Sequence, residues 1–253
     1  MIRAVVLVAA ALSPLSLFAQ GAIIETPDQV KNIPDAPASR EMLPQRAEVT
    51  NMPPPRDQAD ASSCVSWAVT YAAASQASRR NGLGAGVMLA PSFTYNQVSG
   101  DRTCLSGTSI VKTLDLLRDK GTLPIEEFAY DPGWCGRMPT EAEKTRALRY
   151  RIKGYSKLDA GDIEAVKAQL ARGLPVIFSM RVGPKMRGHR GDSVFTADFG
   201  DLGGHTMVAI GYDEARKAFR IQNSWGRNWA DGGYGWFAYD FWKRNVRFGY
   251  VID

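Results

Sequence analysis

The chain changes character near residue 174, and that change limits its possible folds more than any other feature. Before it, Trp67, Ala68, Tyr71, Ala72 and Ser75 recur at three- and four-residue steps and predict a helix over 62–80. Ser62 or Ser63 can cap this helix; Arg79, Arg80 and Gly82 end it, the two cations suiting the helix dipole. Pro91 starts a second helix through Tyr95, and two more, over 109–120 and 162–172, are stopped by Gly121 and Gly173. Beyond residue 174 the stretches 174–182, 206–212, 218–222 and 234–239 are rich in β-branched and aromatic residues and read as strands. Helices first and strands afterwards predict an α+β fold. With 45% apolar and 23% charged residues, a chain of 253 residues can bury a core as one unit or as two lobes around a cleft.

Four residues carry a chemical signal. Gln58 lies six residues before Cys64 in PPPRDQADASSCVSWA; His205 opens the run HTMVAIGYD, and Asn223 begins NSWGRNWADGGYGWF. A thiol, an imidazole, an amide to orient it and an amide to donate to an oxyanion are the parts of a cysteine hydrolase. Cys64 at a helix start sits where the dipole favours a thiolate. The other histidine, His189, lies in the Gly/Arg-rich stretch GPKMRGHRGDS and is a poor partner. Taken singly, each has a bland reading: a buried thiol, a core histidine, a turn asparagine. The order and the separations, 141 residues from Cys64 to His205 and 159 to Asn223, give the set its weight. GLGAG at 82–86 lacks a preceding strand and reads as a flexible connection. Gly203 and Gly204 before His205 read as permitting a close approach to a cleft.

From Gln58 to about Gly235 the chain resembles the papain-like cysteine peptidases, most strongly in GGHTMVAIGYD and NSWGRNWADGGYGWF. The resemblance implies a two-lobed fold, a helical lobe and a β-barrel-like lobe with the active-site cleft between them. It implies Cys64 as nucleophile, His205 as acid and base, Asn223 orienting the imidazole, and Gln58 with the Cys64 N–H facing the oxyanion. Trp225 would cover the His–Asn bond. Cys104-Leu105-Ser106-Gly107 resembles the family's Gly-rich cleft lining, so Ser106 and Gly107, together with Trp225, are the expected substrate-binding residues. One departure is plain. The family reads Cys-Gly-Ser-Cys-Trp, whereas this chain has Ala61, Ser62, Ser63, Cys64 and Val65, with Trp67 three positions on. Ala61 removes the family's bridge beside the nucleophile.

Arg3, the apolar run 4–12 and the small residue Ala19 predict a signal peptide over 1–19, an uncleaved anchor being the alternative. A Pro-rich arm over 20–55 follows, too short for the family's helical prosegment, with strapping as its expected role; the peptidase domain takes 56–253. Removing residues 1–19 lowers the formal charge from +5 to +4, spread along the chain, which does not make a nucleic-acid face. Three cysteines in an exported protein suggest one bridge and one free thiol. Cys104 and Cys135, both in turn-rich sequence, are the natural pair; two unpaired thiols are the alternative. The expected protein is a secreted or periplasmic thiol peptidase, monomeric, acting on a peptide or protein, with no cofactor, no metal and no membrane span after signal cleavage. The competing readings are a catalytically inactive binding or effector protein on the same scaffold and a Cys-His acyltransferase such as a transglutaminase.

Overall fold

The computed structural model describes residues 21–38 and 42–253, so the segment read as a signal peptide lies outside the described residues. The first predicted helix runs over 64–80, but not as one regular spiral. Cys64–Ser66 and Ser75–Arg80 are α-helical, and the eight residues Trp67–Ala74 between them are wound as a π-helix. Every residue of that middle stretch is buried, so the helix has no solvent face for a periodicity to mark. Ser63 stands at its N-cap without capping it: its hydroxyl is engaged by the Tyr130 hydroxyl at 2.7 Å. Trp67 packs edge-on against Tyr71 and Tyr130, in a cluster with Phe93, Leu123 and Phe128. The displaced tryptophan is therefore a core residue of the helical lobe.

Three further helices lie where the sequence predicts them. Pro91–Val98 extends three residues beyond Tyr95; Ile110–Asp119 is capped by Ser109, which accepts from the Lys112 N–H at 3.3 Å; Ile163–Ala171 is capped by Asp162. The helix Glu141–Ala147, not among those predicted, carries a capping box between Thr140 and Glu143, whose signal is the local sequence TEAE.

The strands are β1 (Ala22–Ile23), β2 (Arg46–Glu48), β3 (Thr108–Ser109), β4 (Tyr155–Asp159) and β5 (Val176–Val182). They continue with β6 (Val194–Phe195), β7 (Gly203–Asp213), β8 (Ala218–Gln222), β9 (Tyr234–Ala238) and β10 (Phe248–Ile252). Eight of them form one sheet in the order β4-β10-β5-β7-β8-β9-β6, with β2 added on β7; β1 and β3 pair separately. β7 is the organising strand. Its first part lies antiparallel to β5, with His205 opposite Met180, and its last residues pair with both β8 and β2. It is buried almost throughout because the Cys64 helix covers one side of the sheet. That packing brings the start of the helix to the start of β7. Together these make the predicted α+β arrangement of a helical and a strand-rich part.

The N-terminal arm is built into this frame. Pro34 and Ala36 exchange backbone hydrogen bonds with Lys157, and β2 completes an edge of the large sheet. Cys104 and Cys135 are bridged, with Cα atoms 5.3 Å apart, and the bridge packs on Ala61 and Tyr95. The Cys104 carbonyl also accepts from the Ser62 N–H at 2.7 Å, which ties the bridge to the loop before Cys64. Replacing both cysteines with serine is expected to cost about 3–4 kcal/mol, the chain-entropy value for a loop of this length. A calorimetric Tm roughly 10 °C lower would follow; a shift under a degree would mean that the bridge carries no stability. Among the described residues no helix is long and apolar enough to cross a membrane.

Candidate functional site

Asn223 begins the turn after β8, where its backbone N–H is fixed by the Gly233 carbonyl at 3.0 Å. Its side-chain Oδ1 accepts from the Ser224 N–H at 2.8 Å. That oxygen can only accept, so the ring atom 2.8 Å from it, His205 Nε2, must carry a proton. The tautomer follows from geometry. It leaves Nδ1 as the bare nitrogen of a neutral ring, and Nδ1 has no hydrogen-bond partner among the described residues. Trp225 stacks on the imidazole, centroids 4.3 Å apart and planes 23° apart, and is only 7% exposed. It shields the His205–Asn223 bond from water.

Gln58 is held from several directions. Its backbone N–H donates to the Ser224 carbonyl at 2.9 Å, and its own carbonyl accepts from the Tyr130 hydroxyl at 2.7 Å. The Ser224 hydroxyl donates to Oε1 at 2.7 Å, which fixes the amide's orientation, and Nε2 donates to the Ala61 carbonyl at 2.9 Å. Tyr130 has a single proton; with that given to Gln58, the Ser63 hydroxyl is the donor in its contact with Tyr130. Ser224 and Tyr130 thus tie together the segments carrying Gln58, Cys64 and Asn223. Sequence reasoning missed both. Ser224 lies within a motif that was read, whereas nothing local marks Tyr130.

Cys64 and His205 are both 0% exposed. Burial pushes the thiol above its ordinary 9.0, against the opposing pull of the Thr206, Gly21 and Val65 backbone N–H groups and the Thr206 hydroxyl. Burial likewise depresses His205 to about 3, opposed by the bond to Asn223 and reinforced by the charge of Arg187. In this conformation the Cys64 thiol and the His205 imidazole are both neutral.

The chain's own arm packs against the loop before Cys64 and the start of β7. Gly21 gives its carbonyl to the Thr108 N–H at 2.7 Å, and β1 runs parallel along β3, with Ala22 beside Thr108. The approach is close enough to demand glycine: a Cβ on Gly21 would lie 1.8 Å from the Ser62 carbonyl oxygen. On the opposite wall, a Cβ on Gly204 would lie 2.2 Å from the Ala22 carbonyl oxygen, so the close approach expected of the glycine pair before His205 is made to the arm. Gly107 also abuts the arm, with its Cβ position 3.0 Å from the Gly21 carbonyl oxygen, whereas the Ser106 carbonyl accepts from Tyr95. Glu25, 6% exposed, fastens the strand's far end by accepting from Ser109 Oγ at 2.9 Å and the Val111 N–H at 3.3 Å, at the start of the helix Ile110–Asp119. Gln58, Cys64, His205, Asn223 and Trp225 thus form one cluster, with Gly107 across the arm from it. Read from sequence alone the arm is an extended Pro-rich strap; in the structure its first described residues lie against Ser62, Gly107 and Gly204.

The family profile described as "Papain family cysteine protease" matches residues 39–245. The cysteine endopeptidase RepA of Oryza sativa subsp. japonica is 25% identical over 213 residues, which are 82% of this chain and 52% of that protein. An uncharacterized peptidase C1-like protein of Acanthamoeba polyphaga mimivirus is 25% identical over 160 residues, 58% of this chain and 49% of that one. The chain therefore spans about half the length of these curated relatives. Among solved structures, xylellain, a cysteine protease from Xylella fastidiosa, superposes with a TM-score of 0.83 at 24% identity, covering 96% of this chain and 99% of that one. Digestive procathepsin L 3 of Tenebrio molitor larval midgut gives a TM-score of 0.75 at 16% identity, covering 94% and 78%. At these identities the likeness is one of fold.

Proposed function

We propose, from the premise that this chain belongs to the papain family of cysteine proteases, that it is an exported thiol peptidase acting through a Cys64 acyl-enzyme. The observation that carries the reading is the tautomer of His205: with Nε2–H committed to Asn223, Nδ1 is bare and able to take the thiol proton. Sγ then attacks the substrate carbonyl carbon, and the C=O electron pair moves onto oxygen. The Cys64 backbone N–H and Gln58 Nε2 donate to that oxyanion. As the C–N bond breaks, His205 returns its proton to the leaving amine. Water, deprotonated by His205, releases the acid product and restores the thiol. The Cys104–Cys135 bridge supports export, since disulfides persist in oxidising compartments such as the periplasm or the exterior.

Product analysis tests this reading. Incubation of the protein with a peptide pool should give new free carboxyl termini, read by mass spectrometry. Transfer of the acyl group to an added amine in excess of hydrolysis would reassign the reaction to acyl transfer. Gln58→Ala is expected to lower kcat by about 10²–10³ while leaving KM little changed, as removal of one oxyanion donor does. A change confined to KM would instead place Gln58 in ground-state binding.

A further inference from the structure

We propose that Cys104 is a positioning residue for the reaction: its bridged, left-handed backbone fixes the peptide plane against which the amide of Gln58 is aimed. The inference rests on the peptidase reading and adds to it a residue that acts through the oxyanion donor. One peptide group carries the connection. The carbonyl of the Ala61–Ser62 peptide accepts from Gln58 Nε2 at 2.9 Å, and the N–H of the same peptide donates to the Cys104 carbonyl at 2.7 Å. A peptide group is planar, so fixing its carbonyl and its N–H at once leaves it no freedom to rotate. The Gln58 amide is planar too. With one Nε2 proton given to Ala61 and Oε1 accepting from Ser224 at 2.7 Å, the direction of the other proton is set, and that proton faces the oxyanion in the proposed reaction.

Cys104 holds its end of this contact in an unfavourable conformation. Its φ is 63°, in the left-handed region that glycine enters freely and other L-residues rarely adopt. Backbone strain of this kind persists only where the surroundings enforce it, and it concentrates at functional sites. On its exposed side the turn is fastened by Thr103, whose N–H donates to Asp101 at 2.7 Å. On its buried side it is fastened by the bridge to Cys135, which packs with Ala61, Tyr95 and Tyr130. Tyr130 donates to the Gln58 carbonyl at 2.7 Å, and Tyr95 to the Ser106 carbonyl at 2.8 Å. The bridge's own cluster therefore also holds the backbone of Gln58 and the segment leading to Gly107. Without the bridge, a serine at 104 relaxes out of the left-handed region and turns its carbonyl from Ser62, whereas a glycine stays.

The test compares two unbridged full-length proteins, Cys104→Ser with Cys135→Ser and Cys104→Gly with Cys135→Ser, against the wild type, each assayed well below its Tm. Peptide hydrolysis reads the oxyanion; alkylation of Cys64 by iodoacetamide forms no oxyanion and reads the thiol alone. In the serine pair kcat is expected to fall about tenfold at little-changed KM, the factor that the left-handed conformation costs a residue other than glycine. Alkylation should stay nearly unchanged, and the glycine pair should recover most of the lost kcat although it lacks the bridge just as the serine pair does. In a Gln58→Ala background the serine pair should bring no further loss, because Cys104 acts through Gln58. Equal kcat in all three proteins, equal losses in both unbridged ones, a loss shared by alkylation, or an undiminished loss in the Gln58→Ala background overturns the inference and leaves the peptidase reading intact. Where the unbridged proteins do not fold, amide exchange of the wild type decides: a Ser62 N–H as protected as those of β7 supports the fixed plane, and exchange at its intrinsic rate overturns it. Hydrolysis in none of the proteins, the wild type included, overturns the peptidase reading itself.

Discussion

Cys64→Ala is expected to remove at least about 10⁴ of the peptide-hydrolysing turnover, and His205→Ala to remove a comparable share. The reason is chemical rather than structural. Alanine cannot form the acyl-enzyme, so the two easier steps revert to one direct attack by water. Without His205, neither thiol nor leaving amine has a proton partner, because Nδ1 is the bare nitrogen of the pair. The two losses should not add, since nucleophile and base act as a unit, and the double variant should be about as slow as either single one. Alanine at 64 removes one buried sulfur, so folding is checked by Tm. Alanine is preferred to serine because a hydroxyl could still react. Hydrolysis in Cys64→Ala above about a hundredth of the wild-type rate would sink the proposed nucleophile.

Displacing the arm is expected to act in the opposite direction. Valine at 21 would place atoms on the Ser62 carbonyl, and overpacking of this kind costs about 1–3 kcal/mol. The covered population should fall by roughly 10- to 100-fold relative to the open one, with hydrolysis and Cys64 alkylation rising by that factor where covering limits them. The wild type should also uncover itself with pH. Covered, His205 stays neutral down to about 3; open and solvated, it binds its proton near 6.5. Between those values the open form holds the extra proton, so acidification below 6.5 favours opening, and above 6.5 this contribution is constant. Cys64 acts at the other limit. Burial raises its thiol above 9.0, so the covered form is also lost as pH climbs beyond that value. Amide exchange of residues 21–26, corrected for intrinsic rates, should show protection that is greatest between about 6.5 and 9.0 and absent in Gly21→Val. Equal protection in both proteins, or none of the expected loss on acidification, would mean that the arm does not gate the thiol.

This covered state changes how thiol reactivity should be read. Slow labelling of the wild type would not by itself indicate an inert cysteine, because the neutral pair beneath the arm is slow for a reason unrelated to competence. Comparing Gly21→Val with and without His205 separates the two causes. If the opened protein labels rapidly at mildly acidic pH and loses this with His205, thiolate and imidazolium form together. If it labels only near a free thiol's pKa and cuts nothing, the chain is a peptidase-shaped binding protein.

Much of the frame is legible residue by residue. The helix Ile110–Asp119 follows from a serine cap, apolar spacing and a glycine stop, and β8 coincides with its predicted span. Short strands were harder. β4 and β10 pair with each other along five residues, yet neither carries a pattern that distinguishes it from a loop until its partner is known. The π-wound middle of the Cys64 helix was equally invisible: with every side buried, five-residue and four-residue spacing look alike.

The sequence by itself determined the chemical inventory: a thiol at a helix start, an imidazole opening a strand, an asparagine in a marked turn, and two further cysteines in turns. These depend on caps, propensities and motifs contained within a few residues. Only the tertiary structure decided that Ser224 and Tyr130 join the two lobes' segments, that Arg187 lies over the tryptophan beside His205, and that Gly21 rests on Ser62. Each is a meeting of residues far apart in the chain. Burial and protonation depend on the summed surroundings of a group, so the neutral state of Cys64 and His205 belongs to the folded chain and to neither local sequence.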